Sequence, residues 1–230
     1  MTVTLVVDSE KISNDLAAFG FAVWPELIPA QQVAILARRL ATVLGAGGGS
    51  RAIAPDHPVV GELLANQLLA DIIGPEIKPV RILIFDKTPR RNWAVAWHQD
   101  RTIAVAERRD DAAVGGWTVK NGVPHCEAPA GFLAKMLTMR WHLDPCGPAE
   151  GGLRVLPGSH RHGRLSREAI EALSAEIEPV ELDLPAGSAL LMRPLLVHGS
   201  SRCASASRRR VLHMELASQD PPPPLRWAWG

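Results

Sequence analysis

Apolar and polar positions change rhythm about a third of the way along the chain. Before residue 78 the apolar residues recur at helical spacing. SEKISNDLAAFG (9–20) sets Ile12, Leu16 and Phe19 on one face, with Ser9 as N-cap and Gly20 as the stop. IPAQQVAILARRLATVLG (28–45) sets Val33, Leu36, Leu40 and Leu44 on one stripe, which predicts an amphipathic helix. GELLANQLLADIIG (61–74) predicts another. VTLVV (3–7) and FAVWP (21–25) read as short strands, and GAGGGS (45–50) as a flexible break. After residue 78, short β-branched runs alternate with Pro, Gly and Asp. VRILIFD, WAVAWHQD, LTMRWHLD, LRVL, VELDL, ALLMR, LLVHG and RRVLHMELA predict eight strands. The expected architecture is mainly β with flanking helices, as a barrel or two-sheet jelly roll. The 230 residues form one domain: a helical part (1–77) packed on the barrel, the β core (78–218) and a Pro-rich tail (219–230). Trp227 and Trp229 are placed to pin that tail to the body. Residues 101–135 read as a long connection that either lies on the surface or forms a lid.

Composition narrows the classes. With 25 basic and 24 acidic residues the net charge is +1, which argues against nucleic acid as the partner. No run approaches membrane-spanning length, and MTVTLVVDSEK carries no secretory pattern. Three scattered cysteines without CxxC give no thiolate metal site and suit a reducing cytosol, so the expected location is cytoplasmic.

The chemistry is sought among the histidines. Random order predicts about 0.8 His-x-acid triplets for this composition, and the chain has four. On a strand, residues i and i+2 face the same side, so each triplet could offer an imidazole and a carboxylate to one ion. His213-Met-Glu215 has no later histidine to join it, His125-Cys-Glu127 sits between prolines, and His142-Leu-Asp144 has bulky neighbours and runs into a turn. His98-Gln-Asp100 follows Ala94 and Ala96, whose small side chains leave room for an ion and a substrate. His198 in LLVHGSS offers a third ligand. Two imidazoles and a carboxylate suit Fe(II) with open positions. Arg209 lies eleven residues beyond His198 and offers a fork for a carboxylate.

WHQD (97–100), GGLRVLPGSH (151–160), and HGS followed by Arg209 together resemble the phytanoyl-CoA dioxygenase family over about residues 28–216. TVKNGVPHCEAP (118–129) is similar to the matching loop of ectoine hydroxylases, a branch of that family. The resemblance implies a double-stranded β-helix of cupin-like form and an Fe(II)/2-oxoglutarate-dependent dioxygenase using O2. It implies His98, Asp100 and His198 as iron ligands, Arg209 on the distal carboxylate of 2-oxoglutarate with Ser200 beside it, and Lys87 and Thr138 on strands lining that pocket. It also implies hydroxylation rather than halogenation, because halogenating relatives lack a carboxylate at the position of Asp100. Trp93 and Gln99 flank the triad as substrate candidates, and Trp117 and His125 belong to the possible lid. Arg208 and Arg210 read as solvated neighbours of Arg209, His160 and His162 as turn residues, and Trp97 and Trp141 as core. The partner is a small molecule. Two other readings stay open: a metalloenzyme with the same ligands and no keto acid, and a non-catalytic ligand-binding module.

Overall fold

The computed structural model describes residues 8–44, 49–65, 72, 74, 76–111, 113–204 and 207–229. The strand expected at 3–7 lies outside them. Helix α1 (Ser9–Ala18) is capped by Asp8, not Ser9: its carboxylate accepts from the backbone of Glu10 at 3.0 Å and Lys11 at 3.2 Å. Ile12 and Leu16 are buried, but Phe19 lies beyond the helix and is exposed. Gly20 turns at φ +82° into β1 (Phe21–Trp24). The helix expected at 28–45 is two helices, α2 (Ala30–Arg39) and α3 (Ala41–Leu44). The end of the stretch read as a flexible break forms β2 (Gly49–Ala52), which pairs with the next strand; residues 45–48 lie outside the described set. Helix α4 (Pro58–Leu64) starts three residues before the expected helix, at Pro58, behind a His57 cap.

All eight runs after residue 78 contain strands. They are β3 (Lys78–Lys87), β4 (Val95–His98), β8 (Leu137–His142), β9 (Leu153–Val155), β10 (Val180–Glu181), β11 (Ala189–Met192), β12 (His198–Ser200) and β13 (Arg209–Ala217). Two antiparallel sheets result, ordered β1-β11-β8-β13-β3-β2 and β10-β9-β12-β4. Between β9 and β10 lie a 3-10 turn (Ser159–His162) and a helix; the turn holds His160 and His162 as expected, and Ser159 Oγ accepts from Val197 N–H at 2.8 Å.

The connection at 101–135 is built, not loose. It holds β5 (Thr102–Ala104), β6 (Gly115–Lys120), β7 (Val123–Glu127) and a short helix α5 (Ala130–Leu133), with the strands ordered β5-β7-β6. Asn121 at φ +51° and Gly122 at φ +80° make the two-residue hairpin turn. Farther on, α6 (Arg167–Glu176) is capped by Ser166. In the tail Trp227 is buried beside Phe132, and its indole N–H donates to Gln219 O at 3.3 Å.

Alternation along the six-stranded sheet sets the interior. Ile82 and Ile84 of β3, Met139 and Trp141 of β8, and Leu212 and Met214 of β13 pack outward against the N-terminal helices in the largest core cluster. The intervening residues point into the barrel. At one end these are apolar, where Leu190, Met192, Leu153 and Val155 meet. At the other they are charged, and that end holds the cavity.

Candidate metal centre and adjoining cavity

His98 ends β4 and His198 begins β12, and antiparallel register sets them directly opposite each other. Opposed residues in such a pair bring their side chains together, and the ring centroids are 4.2 Å apart. Asp100 lies just past β4, fixed by its N–H donating to Pro194 O at 2.9 Å. Its two carboxylate oxygens stand 3.8 Å from His98 Nε2 and 3.7 Å from His198 Nε2. The three ligand atoms lie within 4.8 Å of one another. Each histidine donates its Nδ1–H to the carbonyl two residues earlier, His98 to Ala96 and His198 to Leu196, both at 2.9 Å. That fixes the tautomer and leaves both Nε2 lone pairs aimed at a common point. Burial, working against Asp100, pushes His198 down to about 4, so its ring is neutral at pH 7. Burial opposes the charge on Asp100, but His198, His213, His98 and Arg140 outweigh it and hold the carboxyl well below its usual range. Its Oδ2 is buried without a hydrogen-bond partner among the described residues. Two neutral imidazoles, an ionised carboxylate and an unsatisfied buried oxygen fit a divalent iron with open positions.

The small neighbours expected beside His98 are not its companions. A bulge between β4 and β12 pairs Val95 with Ser200, so Val95 joins His98 on the cavity wall and Ala96 is exposed. The cavity itself is about 520 Å³.

Arg209, buried at the start of β13, lines it. One guanidinium N–H donates to Gly151 O and also lies 3.5 Å from Cys146 Sγ, while Nε has no partner among the described residues. Directly across the register is Lys87, whose ammonium donates to Ser200 Oγ at 3.3 Å and Ser201 O at 3.0 Å. Burial and the Arg209 charge lower Lys87 to about 8. Lys87 sits behind the wall that Ser200 lines. Arg208 and Arg210 do point away from Arg209, yet they are not simply solvated. Arg208 forks onto buried Asp86 at 2.8 and 2.7 Å, and Arg210 onto Asp144 at the same distances. Asp144 is thus committed away from His142.

Among the substrate candidates, Trp93 lines the cavity with Lys87 over its ring at 5.3 Å. Gln99 borders it, but its amide is spent on the scaffold. It donates to Gly163 O at 2.8 Å and Leu195 O at 2.7 Å, and accepts from Leu165 N–H at 2.9 Å. Trp117 and His125 are not brought to the cavity. Trp117 packs against the cluster beneath the small sheet, with Arg108 over its ring, and His125 is buried with its Nδ1–H donating to Val123 O. The residues of that hairpin that do reach the cavity are Lys120 and Asn121. Thr138 is buried outside the lining; the residue of β8 that reaches the cavity is Arg140, two residues on.

Arg140 and Arg81, which the sequence did not single out, also line the cavity, together with His213 and Glu215, the triplet set aside as a metal site. Arg140 donates to His213 Nδ1 at 2.9 Å, and Arg81 to Glu215 at 2.6 Å. The signal was the alternation of RRVLHMELA, where Arg209, His213 and Glu215 share a face.

A search of curated protein sequences finds no match. Among solved structures, AviO1 from Streptomyces viridochromogenes Tue57 superposes with TM-score 0.65 at 23% identity, covering 96% of this chain and 99% of that one. EctD from S. alaskensis gives 0.70 at 19%, covering 94% and 79%. The epimerase SnoN, in complex with Fe3+, alpha ketoglutarate and nogalamycin RO, gives 0.64 at 17%, covering 91% and 83%. These likenesses carry the fold. The profile of phytanoyl-CoA dioxygenase (PhyH) matches residues 18–211, so the chain belongs to that family of 2-oxoglutarate-dependent non-haem iron oxygenases.

Proposed function

We propose that this chain hydroxylates an unactivated C–H bond of a small molecule, consuming 2-oxoglutarate and O2 and releasing succinate and CO2. One observation carries the reading. A converging His–Asp–His donor set and a buried guanidinium with no carboxylate partner among the described residues share one cavity.

His98, Asp100 and His198 would hold Fe(II). Bound with 2-oxoglutarate and O2, iron supplies an oxidant strong enough to take hydrogen from carbon. The protein's part is position and enclosure. Arg209 would fork the distal carboxylate of 2-oxoglutarate, with Ser200 beside it and Lys87 holding Ser200 from behind. Asp100 fills the third ligand position with carboxylate, which favours hydroxylation over halogenation. Trp93 forms one wall for substrate, and the β6–β7 hairpin brings Lys120 and Asn121 to the opening. SnoN, complexed with iron and a keto acid, supports the cofactor pair. Three free, buried cysteines suit a reducing cytosol, which we propose as the location. Among the described residues no helix is long and apolar enough to cross a membrane.

The test is anaerobic visible spectroscopy of metal-free protein as Fe(II) and then 2-oxoglutarate are added. A charge-transfer band that needs both, and is lost in His98→Ala, is the expected result. Bound iron without the band would select a metalloenzyme that uses no keto acid, and no iron binding would select a binding module.

A further inference from the structure

Alternate residues of β3, β8 and β13 form the cavity floor, and their charges do not balance. Arg81 is matched by Glu215. Arg101 and Arg164 share the single carboxylate of Glu127. Lys120 donates to the hydroxyl of Thr102 at 2.8 Å. Arg140 is 6% exposed, and its direct contacts among the described residues are neutral side-chain groups: His213 Nδ1 at 2.9 Å and the Phe85 ring at 5.4 Å. Its Nε is buried with no partner among the described residues. An imidazole offers a lone pair but no negative charge, so His213 is no counter-ion for the guanidinium.

Burial first, and then Arg209, pull Arg140 down to about 10, which still leaves it charged at neutral pH. A buried charge without a partner is costly by several kcal/mol. Arg209 is in the same position, but the co-substrate answers it. The Asp100 charge favours the ionised Arg140, but that carboxylate makes no hydrogen bond to it and would be taken up by the metal. No carboxylate among the described residues pairs with Arg140, although the chain as a whole is nearly neutral at +1.

We infer that the substrate carries a carboxylate and that Arg140 binds it on the cavity floor, which orients the rest of the molecule toward the His98–Asp100–His198 centre. A planar monoanion suits one guanidinium whose neighbour Arg81 is already paired. This inference rests on the oxygenase reading for its orientation, not for the anion site itself.

The experiment is calorimetric titration of a panel of small carboxylic acids, each paired with its primary amide, into anaerobic protein holding Fe(II) and 2-oxoglutarate. We expect at least one acid to bind tenfold or more tighter than its amide. Arg140→Gln should bring acid and amide within twofold, and Arg140→Lys should keep part of the preference. The 2-oxoglutarate affinity of Arg140→Gln, read from the charge-transfer band, should stay within threefold of the parent. Equal binding of acids and amides across the panel, or no acid binding at millimolar concentration, would overturn the inference. So would an Arg140→Gln loss of 2-oxoglutarate affinity as large as that of Arg209→Gln, because Arg140 would then serve the co-substrate. If no band forms at all, the same panel run on metal-free protein still reads the acid preference, so the two readings fail separately. Circular dichroism of both variants checks their folding, and Arg140→Lys keeps the test alive if Arg140→Gln does not fold.

Discussion

Replacing Arg209 by Gln probes the proposed co-substrate site. The guanidinium is 3% exposed, and its described partners are a backbone carbonyl and a thiol sulfur. The nearest opposed charge across the register is another cation, Lys87. The charge is therefore uncompensated until a carboxylate arrives. Removing one member of a buried hydrogen-bonded charge pair weakens binding by about 2–5 kcal/mol. Ser200 and Lys87 remain at the same end of the cavity, which places the effect near the lower bound. At about 1.4 kcal/mol per decade, that is a rise of about 30-fold or more in the 2-oxoglutarate Kd. Arg209→Lys keeps a point charge but loses the planar fork, so it should fall between the two. The assay is anaerobic titration of the charge-transfer band with 2-oxoglutarate at saturating Fe(II), after circular dichroism has shown the variant folded. A folded Arg209→Gln whose Kd stays within threefold of the parent would refute the argument.

Three other perturbations test the scaffold. Burial first, and then Arg140, push the imidazole of His142 down to about 3 from 6.5, so between those values the unfolded chain takes up a proton that the folded chain refuses. Stability from this group is complete above pH 6.5 and falls as the pH drops. The difference between pH 7.5 and pH 5 is about 2 kcal/mol, and in urea melts of metal-free protein His142→Leu should remove that share of it. Gln99→Leu should lower stability by about 2–4 kcal/mol, because three backbone groups lose their amide partner. It should also weaken iron binding by about tenfold, as the segment between two ligands loosens; unchanged metal affinity by competition with a chelator would count against this role. Gly151 sits at φ +65°, where a Cβ would lie 2.5 Å from Ser201 O. Gly151→Ala should therefore cost about 1–3 kcal/mol in urea midpoint and, by moving the carbonyl that holds Arg209, raise the 2-oxoglutarate Kd.

The sequence by itself determined the local parts. Helical and two-residue periodicity marked α1, α2 and the strands of the two main sheets other than β2, because both patterns are written in neighbouring residues. The candidate triad was legible for a related reason: His98 and Asp100 are two residues apart, His198 ends an apolar run with Arg209 eleven residues beyond, and the family resemblance then implied their roles. Asn121-Gly122 also announced its hairpin in the sequence, although the reading of 101–135 as a connection passed over it. Only the tertiary structure decided what meets across strands. Register placed His213 opposite Arg140 and Lys87 opposite Arg209, so a second His-x-acid triplet shares the cavity with the first. A one-residue bulge, invisible to periodicity, exchanged Ala96 for Val95 on the cavity wall. Burial left Arg140 without a carboxylate partner among the described residues. These are non-local outcomes: each depends on where a distant strand docks, and a side chain's partners are set by that docking rather than by its neighbours in the chain.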